Sequence, residues 1–189
     1  MPQFETRRAV AHTPRQMFDL VADVERYPEF LPLCEDLTVR NRRERDGKTL
    51  LVADMTVGYK AIRETFTSQV LLKPDELEIE VKYIDGPFRY LDNRWTFRPA
   101  SVGAGPASGA PVASGSEPGQ APQPGAAQPT GTEICFYIEY EFRNRLLGGL
   151  MGTMFDRGFR MFSSAFEKRA DQVYGTGAVS NSTSTPAST

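Results

Sequence analysis

Leu77-Glu78-Ile79-Glu80-Val81-Lys82-Tyr83 alternates without a break, with apolar side chains at the odd positions and charges at the even ones. Successive side chains of an extended chain point to opposite faces, so the stretch reads as a strand with one covered and one wet face. Turn chemistry brackets it: Lys73-Pro74-Asp75 stands before it and Asp85-Gly86-Pro87 after it, while Asp46-Gly47 and Gly58 punctuate the chain upstream. Strands separated by such short turns form an antiparallel meander. The same parity runs through Ala53, Met55 and Val57, through Phe66 and Val70, through Leu91, Trp95 and Phe97, and from Ile134 to Phe142 by twos. These positions are expected to line one inner face.

Outward from the meander, the grammar changes at both ends. Phe4 to Val10 reads as a strand, and Thr13-Pro14-Arg15-Gln16 combines an N-cap, a first-turn proline and a capping-box glutamine. The helix begun there carries Met17, Leu20, Val21 and Val24 on one face, and Tyr27-Pro28 is expected to interrupt it before a short turn at 29–31. A long helix is expected from an N-cap at Asn144 to Tyr174, ended by Gly175. Its apolar stripe, which includes Met151, Phe155, Phe159, Phe162 and Phe166, is broad enough to lie along the concave face of a sheet. Between Pro99 and Thr132 the chain is almost wholly Gly, Pro, Ala, Ser and Gln, too poor in apolar surface to offset chain entropy. The expected organisation is one domain over 1–174, interrupted by a disordered 99–132 loop and followed by a disordered tail at 175–189.

Composition narrows the function. At 189 residues and a formal charge of −2 the chain has no basic excess of the kind that phosphate neutralisation requires, which argues against DNA as a partner. Cys34 and Cys135 lie far apart and His12 is the sole histidine, so neither a disulfide framework nor a metal site is expected. No Ser-His-Asp set and no Gly-rich phosphate loop occurs. The carboxylate pairs, Glu139 with Glu141 and Asp54 with Glu64, fall on wet strand faces, so catalysis is not expected. The first residues show neither a signal peptide nor a transit segment, and no apolar run spans a bilayer. The expectation is a bacterial cytoplasmic protein whose contact with the inner membrane is at most peripheral.

Val24-Glu25-Arg26-Tyr27-Pro28-Glu29-Phe30-Leu31-Pro32-Leu33-Cys34 resembles the Tyr-Pro-x-Phe-x-Pro-x-Cys signature of the coenzyme Q-binding START-domain family, whose bacterial members are also called ribosome-association toxins. Gly86-Pro87-Phe88, Trp95-Thr96-Phe97 and the stretch Phe155 to Ala170 are similar to further motifs of that family, although Leu33 stands where many members carry tryptophan. The resemblance implies an α+β helix-grip fold, a curved antiparallel sheet wrapped around a long C-terminal helix, with two short helices after the first strand. It also implies a bound ligand, ubiquinone or a related polyprenyl lipid, in place of a catalytic cofactor, and a role in respiratory electron transport and quinone biosynthesis. By parity and analogy Tyr27, Pro28, Phe30, Pro32 and Trp95 are expected to shape the mouth and head-group end, with Met151, Phe155, Phe159 and Phe162 lining a tail channel and Phe97 also contacting the ligand. Tyr83, Asn93, Trp95 and Tyr140 are the inner-face polar candidates.

Two features leave alternatives open. Gly148, Gly149, Gly152 and Gly158 each cost the long helix about 1 kcal/mol relative to alanine, and either close packing or a flexible mouth would account for them. The basic run Arg40-Asn41-Arg42-Arg43-Glu44-Arg45 protects an edge strand, or else contacts lipid head groups or the RNA of the large ribosomal subunit. The rival functions are therefore a ribosome-binding protein that blocks subunit association and, more weakly, an enzyme resembling polyketide cyclases and dehydratases.

Overall fold

The computed structural model describes residues 3–59, 62–101 and 131–176; at 145–147 and 150–156 it describes the backbone alone. Chain order is β1 (Gln3–Val10), α1 (Pro14–Ala22), a 3-10 turn (Val24–Arg26), α2 (Tyr27–Phe30), then β2 (Cys34–Arg45), β3 (Lys48–Tyr59), β4 (Ile62–Lys73), β5 (Glu78–Asp85), β6 (Phe88–Ala100), β7 (Gly131–Phe142) and α3 (Arg145–Tyr174). The strands form one antiparallel sheet in the order β1-β7-β6-β5-β4-β3-β2, so β2 to β7 are a meander and β1 returns to pair with the last strand. The expected elements are present in the expected order.

Local chemistry accounts for the connections. Asp46 and Gly47 both have positive φ (51° and 72°), the backbone a two-residue hairpin needs to match the twist of its strands. Gly86 has φ 133°, and a Cβ there would sit 2.7 Å from the Phe66 Cβ and 2.9 Å from backbone atoms, so only glycine lets the β5–β6 turn lie against β4. The capping box of α1 is formed: the Gln16 amide donates to Thr13 Oγ1 at 3.2 Å, and the Thr13 amide donates to Gln16 Oε1 at 2.9 Å.

Three boundaries differ from the sequence reading. α1 ends at Ala22, with Asp23 in a non-helical conformation, and Tyr27-Pro28 starts α2 instead of stopping α1. Proline is tolerated there because a first-turn N–H has no intrahelical partner to lose. Leu77 has φ 51° and belongs to the turn before β5, although its side chain still packs on the core. Pro99, Ala100, Gly131 and Thr132 belong to β6 and β7, where Ala100 pairs with Gly131 and Pro99 with Thr132. The fully buried Thr132 hydroxyl donates to the His12 carbonyl at 2.6 Å, which ties the start of β7 to the end of β1. The rest of the expected loop, 102–130, and the tail beyond 176 lie outside the described residues.

The visible part of α3 crosses the concave face with Phe159, Phe166 and Ala170 buried against it. Polar ties hold its C-terminal half. Arg8 on β1 pairs with Glu167, His12 Nε2 lies 2.7 Å from Asp171 Oδ1, and Arg169 donates to Glu29 of α2 at 2.6 Å while its guanidinium covers the Phe30 ring at 5.4 Å.

Candidate functional site

Between α3 and the middle of the sheet lies a cavity of about 120 Å³. The sheet supplies its floor: Leu37 from β2, Ala53, Met55 and Val57 from β3, Ser68 and Val70 from β4, Ile79 and Val81 from β5, Asn93 and Trp95 from β6. Phe159, Phe162 and Phe166 of α3 form the roof, and Val24, Tyr27 and Leu31 close one side. The space persists because the floor side chains are short: Ala53 and Ser68 face each other across β3 and β4, and Val70 faces Val81 across β4 and β5.

Among the described residues that line it there is no Asp, Glu, Lys, Arg, His or Cys. Polar atoms come from Tyr27, Ser68, Asn93 and Trp95, and most are already engaged. The Trp95 indole donates to Asn93 Oδ1 at 3.0 Å, Asn93 Nδ2 donates to the Tyr137 carbonyl at 2.7 Å, and the Tyr27 hydroxyl donates to the Val21 carbonyl at 2.6 Å. Tyr27 is half-buried as a residue, but its hydroxyl is enclosed, and that desolvation raises its pKa well above the ordinary value. Burial likewise pushes the neighbouring Cys34 thiol up to about 12, with Asp36 adding to the shift. It is therefore a neutral, inert thiol near pH 7.

Of the residues singled out in the sequence, Tyr27, Trp95, Phe159 and Phe162 come together on this cavity. Others lie elsewhere. Phe97 is buried beneath α1, edge-on to Phe18 at 5.9 Å, because β6 runs out from under α3 toward α1. Phe30 packs its ring on Tyr27 and Phe166 from outside the cavity; with Pro32 it borders a shallow groove on the outer side of α3. Pro28 is exposed at the start of α2. The side chains of Met151 and Phe155 lie outside the described residues. Of the polar candidates, Tyr83 and Tyr140 pack around Phe88 at 5.7 and 6.3 Å instead of lining the cavity.

Sequence reasoning passed over Ser68 and Leu37. Ser68 has the parity of Phe66 and Val70 and was legible from it. Leu37 was not, because an irregularity between Cys34 and Asp36 breaks the two-residue period and puts Cys34, Leu37 and Val39 on the inner side.

The helix glycines divide. A Cβ on Gly158 would meet Leu33 Cδ1 at 2.8 Å, so that glycine seats the 31–34 segment on α3, whereas a Cβ on Gly149 would meet nothing within 4 Å among the described residues. On the outer groove Arg157, Arg160 and Lys168 are exposed around Met161 and have no ion pair among the described residues. The arginines of edge strand β2 are mostly paired, Arg40 with Asp54, Arg42 with Glu25 and Arg45 with Asp46.

The chain matches, over residues 10–167, the family described as polyketide cyclase / dehydrase and lipid transport. It is 30% identical over 175 residues to the ribosome association toxin RatA of Vibrio cholerae, which covers 93% of this chain and 99% of that one. It is 28% identical to the mitochondrial coenzyme Q-binding protein of Dictyostelium discoideum, over 91% of this chain and 70% of the other. Among solved structures it is similar to an 18 kDa protein from Caulobacter crescentus studied in solution, with a TM-score of 0.66, 27% identity, and coverage of 93% and 99% of the two chains. The shared architecture is the helix-grip fold.

Proposed function

Because the chain belongs to the polyketide cyclase / dehydrase and lipid transport family, we propose that it is a non-enzymatic carrier of ubiquinone or a related polyprenyl lipid. It shields the quinone ring from water and presents it for respiratory electron transport and quinone biosynthesis. The observation that carries this reading is the cavity lining, which among the described residues is apolar apart from a few mostly committed polar groups and holds no titratable side chain other than the Tyr27 phenol. Such a surface suits a neutral ring. The name of the Dictyostelium relative points to the same ligand class.

Exchange with a bilayer then takes place through the outer face of α3, where Arg157, Arg160 and Lys168 surround Met161. Exposed cations without an ion pair among the described residues, set around an apolar side chain, suit anionic head groups, at about 1 kcal/mol per basic residue near the surface. No helix among the described residues is long and apolar enough to cross the membrane.

Organic extraction of the purified protein followed by mass spectrometry tests the reading directly. Trp95, the sole tryptophan, lines the cavity, so quenching of its fluorescence reports titrated quinone. Bound quinone at near one per chain supports the proposal. A protein that comes out empty and refuses added quinone ends it.

The names of several bacterial relatives favour a second reading, association with the ribosome. It predicts salt-sensitive co-sedimentation with the large subunit that weakens when Arg42, Arg43 and Arg45 become glutamate. The ion pairs of Arg42 and Arg45 leave Arg43 as the arginine of that run without an ion pair among the described residues, so that run by itself offers little free charge for RNA. Cyclase or dehydratase chemistry, which the family description also covers, needs a general acid or base at the substrate, and the described cavity wall provides only a phenol already donated to Val21.

A further inference from the structure

Ser68 is 5% exposed, lines the cavity, and its hydroxyl makes no hydrogen bond among the described residues. The other hydroxyls of the same strand differ: Thr65 shares a 2.8 Å hydrogen bond with Thr56, and Thr67 donates to Asp54 at 2.7 Å. The Ser68 oxygen is not one of the polar atoms shut away from solvent without a partner, so it opens on the cavity, where another molecule can complete its hydrogen bond. Asn93 stands across the same floor, two strands away, with β5 between. Its Oδ1 is held by the Trp95 indole and one N–H is used by Tyr137, which leaves a second N–H for a ligand.

From these observations we infer that Ser68 and Asn93 form a hydrogen-bonding subsite for the oxygens of a neutral, carbonyl-bearing ring, which enters the cavity with its isoprenoid chain left outside. The inference rests on the lipid-carrier reading and adds the orientation and the ligand class. Volume limits what enters. A space of about 120 Å³ is somewhat smaller than the apolar cavity of about 150 Å³ that holds one benzene and far short of a polyprenyl chain, so a substituted quinone ring enters only as the side chains around it give way. The chemistry also excludes a class. A fatty-acid carboxylate or a phosphate placed beside Ser68 would find no cation on the described cavity wall, and burying such a charge unpaired is prohibitive.

The test compares a ubiquinone carrying one isoprene unit with butylbenzene and laurate at pH 8, read by Trp95 fluorescence and calorimetry on the wild type and on Ser68→Ala. The expected result is quinone binding that weakens about three- to tenfold in Ser68→Ala, the range of one neutral hydrogen bond. Butylbenzene, which has no oxygen, should bind both proteins equally and so show that the cavity is intact, and laurate should bind neither. Equal quinone affinity in the two proteins, or tight laurate binding, overturns the subsite while leaving the carrier reading in place. A wild type that binds butylbenzene but not the quinone overturns both.

Discussion

Two regions of the same concave face contrast. At the end beneath α1, Val10, Met17, Phe18 and Phe97 are buried, with Phe18 edge-on to Phe97 at 5.9 Å, and at the opposite end Phe88 stacks on Phe142 at 4.7 Å with Phe66, Tyr83 and Tyr140 edge-on around it. Between those two filled ends, Ala53, Ser68, Val70, Val81 and Asn93 leave a hollow under the phenylalanines of α3. The sheet and its parity are shared; the regions differ in the element that covers them and in side-chain volume. The ends hold the fold together, and the middle is left free to hold something else.

Breaking that contrast at the roof should have the largest effect. Phe159 packs on Phe4, Phe136, Tyr140 and Phe162, and Phe159→Glu both removes those contacts and places a charge in an apolar space. The expected cost is above about 4 kcal/mol, with ligand lost before or together with the fold. Quinone binding that survives unchanged in this variant would put the ligand elsewhere.

Opening a filled end comes next. Phe88 is completely buried, and Phe88→Ala should cost about 3–5 kcal/mol in urea denaturation while leaving the quinone site assembled in the folded fraction. A loss below about 1 kcal/mol would mean that this end is not the tightly packed one.

Filling the hollow should do the reverse. Ala53→Leu adds three carbons to a space that can take them, so stability should change by less than about 1.5 kcal/mol, whereas quinone affinity should fall at least about tenfold. Strong destabilisation would show the middle to be as well packed as the ends.

Titration gives the smallest effect and sharpens the boundary of the cavity. Cys34 and Tyr27 have folded-state pKa values raised by desolvation, so the folded protein holds these protons more tightly than the unfolded chain. Their contribution is fully present below pH 9, the ordinary thiol value, and is lost as pH rises toward the Cys34 value of about 12. Denaturant midpoints should therefore fall between pH 9 and 11, and Cys34→Ala should flatten that decline. An identical slope in the variant would place the proton release elsewhere.

Much of this architecture was legible in residues 1–98 and 133–174. The alternation around Ile79, the Asp46-Gly47 and Asp85-Gly86 turns and the capping box at Thr13 are local devices, and each formed where the chain encodes it. Strand parity, the helix stripe and the family resemblance together pointed to Tyr27, Trp95, Phe159 and Phe162, which line the cavity. Other assignments failed for stated reasons. Phe97 shares the parity of Trp95 but lies beneath a different helix, and Phe30, three residues after Tyr27, packs on Phe166 from outside the cavity.

Sequence by itself therefore determined which residues face the interior, because that depends on periods of two and of about 3.6 residues along the chain. Tertiary structure alone decided whether that interior is full or hollow and which polar atoms are free within it. Those outcomes depend on side chains facing one another across strands: Ala53 opposite Ser68, and the Trp95 indole taken up by Asn93 while Ser68 is left without a partner among the described residues. Cavity volume and unmet hydrogen bonds are sums over residues distant in sequence, and no local pattern carries them.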